Sequence, residues 1–470
     1  MKKCIIIGAG NAGRPVGRLL NYQNNEVTIV DSKDFTDFNE DAQHFLKLMK
    51  DEGINIKFKN NDVDFNDYDL VYLPPTISKD SKLYKNVLDS NIKILSNEKA
   101  SDMVSSLINV DIIGITGTMG KTTTSFLTES LFKSAGYNTW TCSSLVYNLL
   151  SEAIVNDIIE GKPDNCDIAI FEMPHGTLGL LSTLPMKIGL LTNLNGDHLD
   201  EFGGSLDKYI ERKLILEKNS DKFISNNKCR DIISPVNPNA YYYSMVEDLD
   251  ENTVNFIGKA LKEALNISYS FNDMKGDFTS TYHMMSYFFE NALAASSIAL
   301  LYGLKEEDII NALTDFKGLP VHMEYLGDYN GRKVILDAAF LEEGMKKTLE
   351  YFTNDNLVLF IDHFDTSTER DKKDVGKLCG KYADVIIASG YNEFKRTVEM
   401  DAAEELLSGV QNPNVKKIAC PTIEEAAELC FKYSKKGDVI LHIGPSIAAS
   451  REAVTGKIKE GIESGAKKYK

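Results

Sequence analysis

The sequence predicts an α/β protein of three domains in series, each built on a mainly parallel sheet. Short apolar runs alternate with amphipathic segments along nearly the whole chain, the pattern of strands joined by helical crossovers. Two of the strand-to-helix junctions are glycine-rich, and the alternation restarts near residues 107 and 318. The domains are therefore placed at 1–106, 107–317 and 318–470.

The first domain opens with an apolar strand at 4–7, the turn Gly8-Ala9-Gly10-Asn11-Ala12-Gly13, a helix over 14–22 and a strand over 26–30 that ends at Asp31. A Gly-x-Gly-x-x-Gly turn after a strand, with an acid about 20 residues on, is the dinucleotide fingerprint, so this domain is Rossmann-like. Gly8, Gly10, Asn11, Ala12, Gly13 and Asp31 are its candidate substrate-binding residues. Alone, the turn supports an NAD-dependent oxidoreductase, yet it serves any phosphorylated ligand at a helix N-terminus. A strand over 68–73 running into Pro74-Pro75-Thr76 puts Thr76 on a ligand-facing loop, and residues 93–96 read as the last strand.

The second domain starts with a buried strand from Asp111 to Ile115, followed by Thr116-Gly117-Thr118-Met119-Gly120-Lys121-Thr122-Thr123-Thr124 and an amphipathic helix. Glycine lets the backbone approach an anion and turn its N–H groups inward, and the helix N-terminus adds partial positive charge. Lys121 can reach terminal phosphates, and the Thr122 hydroxyl can ligate Mg²⁺. Gly117, Thr118, Gly120, Lys121, Thr122 and Thr123 are thus candidate ATP-binding residues of a P-loop ATPase-like domain. The strict motif has a glycine where this chain has Ile115. The bland alternative is a plain glycine turn.

The pattern continues with strands over 168–172 and 188–193, a helix over 206–218, a polar, Tyr-rich stretch of short strands and loops over 238–282, and helices over 288–303 and 306–316. Gly318-Leu319-Pro320 reads as a linker. Strands over 334–337, 357–361, 385–388, 417–419 and 439–443 then make the third domain Rossmann-like, and the Lys-rich end from 465 to 470 is expected to fray.

Net charge is −17, from 52 basic and 69 acidic side chains, which argues against a nucleic-acid or membrane-surface binder. No apolar run is long enough to span a bilayer, and the N-terminal run is too short for a signal peptide. The seven cysteines form no Cys-x-x-Cys pair, so neither a zinc site nor a disulfide framework is indicated. A cytoplasmic chain, monomeric or weakly dimeric, is expected.

Glu172 ends an apolar strand, and in a parallel sheet the strand C-termini face the ligand crevice. A carboxylate there can hold Mg²⁺ beside Thr122, although an ordinary surface acid fits the same position. Asn193-Leu194-Asn195-Gly196-Asp197-His198-Leu199-Asp200 follows the next strand, so His198 is a candidate ligand of a second metal with Asp197 behind it, although a lone histidine is more often structural. Lys213 lies on the following helix. By sequence alone it reads as a solvated lysine, because an ammonium facing a metal site would repel it.

These segments resemble the Mur ligase superfamily, which joins amino acids or peptides to carboxylates using ATP. The carriers are Thr-Gly-Thr-x-Gly-Lys-Thr-Thr-Thr, then Asn193, Asp197, His198 and Asp200, then Tyr209 and Lys213. Asn291-Ala292-Leu293-Ala294-Ala295, Gly318-Leu319-Pro320-Val321-His322-Met323-Glu324, Ile335-Leu336-Asp337 and Gly444-Pro445-Ser446 extend it in order along nearly the whole chain. The resemblance implies that Glu172 and His198 bind Mg²⁺ and that Lys213 is carbamylated and shares in metal binding. It makes Lys121, Lys213 and His198 catalytic. It also implies that Asn291 lies by the adenine, that His322 and Asp337 contact the nucleotide, and that Ser446 lies near the incoming amino acid. The first domain is then like that of the UDP-N-acetylmuramoyl-L-alanine–D-glutamate ligase branch and binds a UDP-linked carboxylate.

Some positions depart from the pattern. Met119 replaces Asn or Lys, Met173-Pro174-His175 replaces Ser-Ser, His322 stands where an arginine is common, and Ala338 and Ala339 follow Asp337 where a lysine or histidine is usual. They suggest a divergent branch, such as the archaeal pseudomurein peptide ligases or a ligase of small-molecule carboxylates. The leading reading is an ATP-dependent ligase adding a free amino acid to a nucleotide-linked cell-wall precursor through an acyl phosphate. The oxidoreductase reading leaves the P-loop and Glu172 unexplained, and a nucleotide-gated protein without catalysis is a third reading.

Overall fold

A computed structural model describes residues 1–60, 62–75, 77–145, 150–196, 199–249, 253–282, 284, 288–339, 342–363, 371–393, 395–446 and 451–469. Residues 1 to 316 form one compact unit, and residues 317 to 470 form a second.

The first unit holds two sheets. Strands β1 (Lys3–Ile7), β2 (Glu26–Val30), β3 (Asn55–Lys57), β4 (Leu70–Tyr72) and β5 (Ile94–Leu95) form an all-parallel sheet of order β3-β2-β1-β4-β5. The chain reverses direction along the sheet next to β1, so the Gly8–Gly13 turn lies at the switch point where such sheets bind ligands. Helix Gly13–Tyr22 follows that turn.

The larger sheet is built from β6 (Asp111–Thr116), β7 (Thr139–Cys142), β8 (Ile168–Glu172), β9 (Met186–Leu191), β10 (Ser220–Asn226), β11 (Tyr241–Met245), β12 (Phe256–Ala260), β13 (Ala264–Phe271) and β14 (Met274–Thr281). Its order is β14-β13-β12-β11-β10-β9-β6-β8-β7, parallel from β7 to β12, with β13 and β14 added as an antiparallel hairpin. β6 lies inside the sheet and is buried on both faces, hence its apolar run Ile112-Ile113-Gly114-Ile115. The hairpin was legible in sequence only as short strands. β13 alternates buried and half-buried residues because one face packs inward, while β14 is largely exposed.

The segment expected as one helix over 206–218 is two helices, Leu206–Lys213 and Ile215–Lys218, joined at Leu214. Ser205 caps the first, its hydroxyl accepting from Lys208 N at 3.3 Å. The second rides close over the sheet, because Gly114 of β6 and Gly189 of β9 are paired in register beneath Leu216. A methyl group on Gly189 would lie 2.1 Å from Ser220 Oγ and 3.1 Å from Leu216 Cγ. These two glycines set how near helix Ile215–Lys218 comes to the sheet.

The second unit has β15 (Glu324–Tyr329), β16 (Arg332–Asp337), β17 (Leu357–Ile361), β18 (Val385–Ser389), β19 (Tyr391–Asn392), β20 (Thr397–Val398), β21 (Lys416–Cys420) and β22 (Val439–Ile443). The main sheet runs β15-β16-β22-β17-β18-β21, parallel except for β15, and β19 pairs with β20 as a separate ribbon. The chain end does not fray where expected. Helix Arg451–Lys468 runs through it, Gly465 packs on Phe431, and Lys468 pairs with Glu428 at 2.6 Å. A side chain larger than hydrogen at 465 would meet that phenyl ring at 2.7 Å, so Gly465 permits helix packing within the Lys-rich end expected to fray.

Gly189→Ala is expected to cost about 1–3 kcal/mol, the usual range for overpacking, because Ser220 and Leu216 must move to admit the methyl group. Urea unfolding monitored through Trp140, which is buried in the same unit, checks this.

Candidate active site

The turn after β6 takes its shape from two glycines. Gly117 has φ 141° and Gly120 φ 79°, values that penalise any side chain. A methyl group on Gly117 would also overlap Thr192 Oγ1 at 1.9 Å, and one on Gly120 would meet Asn291 Oδ1 at 2.5 Å. Helix Lys121–Ser134 starts immediately after, with Thr124 N bonding to Gly120 O at 2.9 Å. Its leading N–H groups have no acceptor within the helix and face the turn with the positive end of the helix dipole.

The turn is clamped from β9. Asn193 Oδ1 accepts from Thr118 N at 3.1 Å and Met119 N at 2.9 Å, while its Nδ2 donates to Met119 O at 3.0 Å. Thr192 Oγ1 donates to the same Met119 carbonyl at 2.6 Å. Thr118 Oγ1 bonds to the Asn195 carbonyl and lies 2.9 Å from the Tyr209 hydroxyl. Because Thr118 and Met119 spend their N–H groups on Asn193, an anion is left to the amides that follow. Lys121 Nζ donates to Thr118 O at 2.8 Å, which holds the ammonium against the turn.

Glu172, at the end of β8, is 2% exposed and held by several donors. Its Oε2 accepts from Ser143 Oγ at 2.8 Å, Ser144 N at 3.0 Å and Thr122 Oγ1 at 3.1 Å, and Ser144 Oγ lies 3.0 Å from both carboxylate oxygens. The acid is fixed beside the P-loop threonine, not free at the surface. These hard oxygen donors fit Mg²⁺, which uses one or two carboxylates and completes its shell with water and phosphate.

Lys213 is 2% exposed, so it is not a solvated helix lysine. Its Nζ donates to Gly117 O at 3.1 Å and Thr116 Oγ1 at 3.3 Å and lies 5.3 Å from the Tyr209 ring centre. Thr116 Oγ1 in turn donates to Met173 O at 2.6 Å, so the start of the turn, the end of β8 and Lys213 form one network. His198 and Asp197 lie outside the described residues, as does Thr76.

Comparison with known proteins agrees with this geometry. The family profile described as the Mur ligase middle domain matches residues 115–299, the stretch from the end of β6 to helix Phe289–Tyr302. This match assigns residues 115–299 to the Mur ligase family. Members of this family are ATP-dependent amide ligases. A UDP-N-acetylmuramoylalanine–D-glutamate ligase of Lactococcus lactis is 28% identical over 467 residues, covering 95% of this chain and 93% of that protein. An uncharacterized protein of Methanothermobacter thermautotrophicus is 36% identical over 217 residues, 46% of this chain and 69% of that one. Among solved structures, a pseudomurein peptide ligase type C from Methanothermus fervidus shares the fold with TM-score 0.59 and 20% identity, over 97% of this chain and 100% of that one.

Asn291 sits beside the glycine turn, its Oδ1 facing Gly120 and 3.4 Å from Thr124 Oγ1. His175 follows Glu172 closely and lies 3.0 Å from Glu201, and Arg212 donates to its carbonyl at 3.4 Å. In the first sheet Asp31 is 9% exposed, and both its oxygens accept backbone N–H groups, from Ala9 at 2.7 Å and Lys33 at 2.8 Å. It thereby braces the glycine turn. In the second unit Asp337 is buried at the end of β16 and accepts from Thr348 Oγ1 at 2.5 Å, and burial raises its pKa against the opposing pull of the Thr348 and His322 side chains. His322 is half-buried, with Nδ1 2.9 Å from Pro320 O. Ser446 is fully buried near Asp362, whose Oδ2 is 3.1 Å from His442 Nε2 and whose Oδ1 is 3.4 Å from Ser446 N.

Sequence reasoning missed Ser143, Ser144, Thr192 and the clamping role of Asn193. The serines lie in an unremarkable Cys-Ser-Ser stretch, and nothing in the residue order shows that it folds back on Glu172. Asp362 and His442 were missed too, because the acid and the imidazole are far apart in sequence.

Asn193→Ala is expected to raise the KM for ATP at least tenfold while circular dichroism stays unchanged, since it frees two amides of the turn without emptying the core. Steady-state kinetics with varied ATP provides the check.

Proposed function

We infer that this chain uses ATP to join a free amino acid to a carboxylate of a nucleotide-linked cell-wall precursor of the murein or pseudomurein type. The observation that carries the reading is the grouping of Lys121, Thr122, Glu172 and Lys213 around one glycine turn. Full-length similarity to a glutamate-adding ligase supports a nucleotide-linked acceptor, and the pseudomurein ligase fold keeps that wall type within the class. The seven free cysteines suit a cytoplasmic enzyme.

In this reading the acceptor carboxylate attacks the γ-phosphorus of ATP, giving an acyl phosphate and ADP. The amine of the amino acid then attacks the acyl carbon, and phosphate leaves. The amides at the start of helix Lys121–Ser134 and the Lys121 ammonium position the transferring phosphoryl group and offset its charge. Thr122, Glu172 and His198 would hold Mg²⁺, which supplies charge neutralisation at the β- and γ-phosphates. Asn291, His322 and Asp337 are assigned to the nucleotide, and Ser446 to the incoming amino acid. The buried Ser446 Oγ and His442 Nδ1 have no hydrogen-bond partner among the described residues, which supports polar ligand binding at that sheet edge. Gly8, Gly10, Asn11, Ala12, Gly13, Asp31 and Thr76 are assigned to the UDP-linked substrate.

Lys213 is proposed to act as a carbamate. The ammonium first releases a proton; the neutral amine then attacks CO₂, an N–C bond forms as one C=O electron pair moves onto oxygen, and a second proton leaves to solvent, so a buried cation becomes an anion suited to holding a metal. Burial against the P-loop supports this, because an ammonium there adds to the positive charge of the helix N-terminus.

Lys121→Ala is expected to abolish ADP release, which in the unaltered chain requires both an acceptor carboxylate and an amine. Near-normal turnover by the folded variant would refute the ligase reading. Lys213→Ala is expected to lose most activity and to regain part of it in added short-chain carboxylate such as acetate. Full activity without additive would remove the carbamate from the scheme and leave the ligase intact.

A further inference from the structure

The glycine turn of the first sheet is gripped by an ion pair that the mechanism above does not use. Arg14 and Glu152 are each 1% exposed, with Arg14 Nε 2.5 Å from Glu152 Oε1 and Nη2 3.2 Å from Oε2. Arg14 lies on helix Gly13–Tyr22, and Glu152 lies in the first turn of helix Leu150–Ile159, which belongs to the larger sheet's layer. A buried pair this close in geometry is costly to desolvate and strongly destabilising to break on one side, so its retention calls for a reason beyond stability.

The remaining guanidinium donors show one. Arg14 Nη1 donates to Ala9 O at 2.7 Å, and Nη2 donates to Asn11 Oδ1 at 2.9 Å. In a trans peptide the carbonyl and the next N–H point in opposite directions. Holding the Ala9 carbonyl inward therefore aims the Gly10 N–H outward, and Gly10 faces open space, with no heavy atom within 4 Å of where a Cβ would stand. Arginine carries only donors, so the oxygen of the Asn11 amide must face it, and the two amide N–H donors face away at an exposed position. One guanidinium thus sets the direction of both a backbone and a side-chain donor on the ligand side of the turn. Glu152 fixes the guanidinium plane, and lysine cannot reproduce that fork.

We propose that Arg14, locked by Glu152, is the positioning residue that aims the Gly10 N–H and the Asn11 amide at the diphosphate of a nucleotide-linked substrate. This rests on the nucleotide-linked acceptor assigned above. Helix Leu150–Ile159 also follows Ser143 and Ser144, which hold Glu172, so one short stretch of chain supports both the substrate turn and the metal acid.

The test is calorimetric titration of the full-length chain and its variants with UDP and, separately, with ATP and Mg²⁺. Arg14→Lys is expected to weaken UDP binding at least tenfold and to leave ATP binding within threefold, a selectivity that general loss of structure would not give. Asn11→Ala, at an exposed position that takes one Arg14 N–H and leaves the Arg14–Glu152 contact in place, is expected to weaken UDP binding in the same direction and decides the matter if Arg14→Lys does not fold. UDP affinity equal to that of the unaltered chain in folded Arg14→Lys, or in Asn11→Ala, overturns the inference. Failure of the unaltered chain to bind UDP while it still binds ATP overturns the nucleotide-linked substrate together with this inference, whereas the ligase reading is decided separately by ADP release.

Discussion

The first unit depends on the side-chain amide of Asn193. It reaches from the end of β9 to the turn after β6 and satisfies two N–H groups and one carbonyl of that turn. A turn with two residues at positive φ has few intrinsic reasons to keep one shape, and each residue held there costs conformational entropy. The amide supplies the missing constraint from a neighbouring strand of the same sheet. Lys213 and Thr192 then bond to carbonyls of the shaped turn, and Thr122 meets Glu172 because the helix starts where the turn ends.

Two of the polar assemblies buried in this unit illustrate different physics. Around Glu172 a single anion is surrounded by neutral donors from Ser143, Ser144 and Thr122, which orient it at modest desolvation cost. Between Arg14 and Glu152 two full charges cancel, and the guanidinium has donors left to organise the Ala9 carbonyl and Asn11. The first arrangement leaves a carboxylate ready to accept a cation. The second consumes its charge internally and exports only geometry.

Much of this was readable from the residues in order. The restarting alternation of apolar runs pointed to three mainly parallel sheets, and glycine followed by lysine and threonine at a strand–helix junction marked the turn, because the motif is local and the physics of helix N-termini is local too. What escaped was contact between segments distant in sequence. Ser143 and Ser144 reach Glu172 across neighbouring strands, and Asp362 meets His442 across 80 residues. Residue type misled at two places. Lys213 looked like a solvated helix lysine, although its side chain is buried against the glycine turn, and the Lys-rich end looked loose, although Gly465 serves there as a packing notch. Asp31 also braces the glycine turn by accepting from the Ala9 and Lys33 amides, a contact that its place after β2 did not reveal.

The β13–β14 hairpin has a consequence for how molecules of this protein meet one another. As the last strand of its sheet, β14 presents backbone N–H and C=O groups that another chain's strand could extend. Its exposed positions include Lys275 and Asp277, and charge along an edge is a recognised barrier to such pairing. Hydrogen bonds from Ser268 and Asn266 stabilise the ionised Asp277 carboxylate and lower its pKa, so this guard charge persists into more acidic solution than an ordinary aspartate would. The strand is thereby protected against sheet-to-sheet association at the acidities where many exposed carboxylates begin to lose their charge.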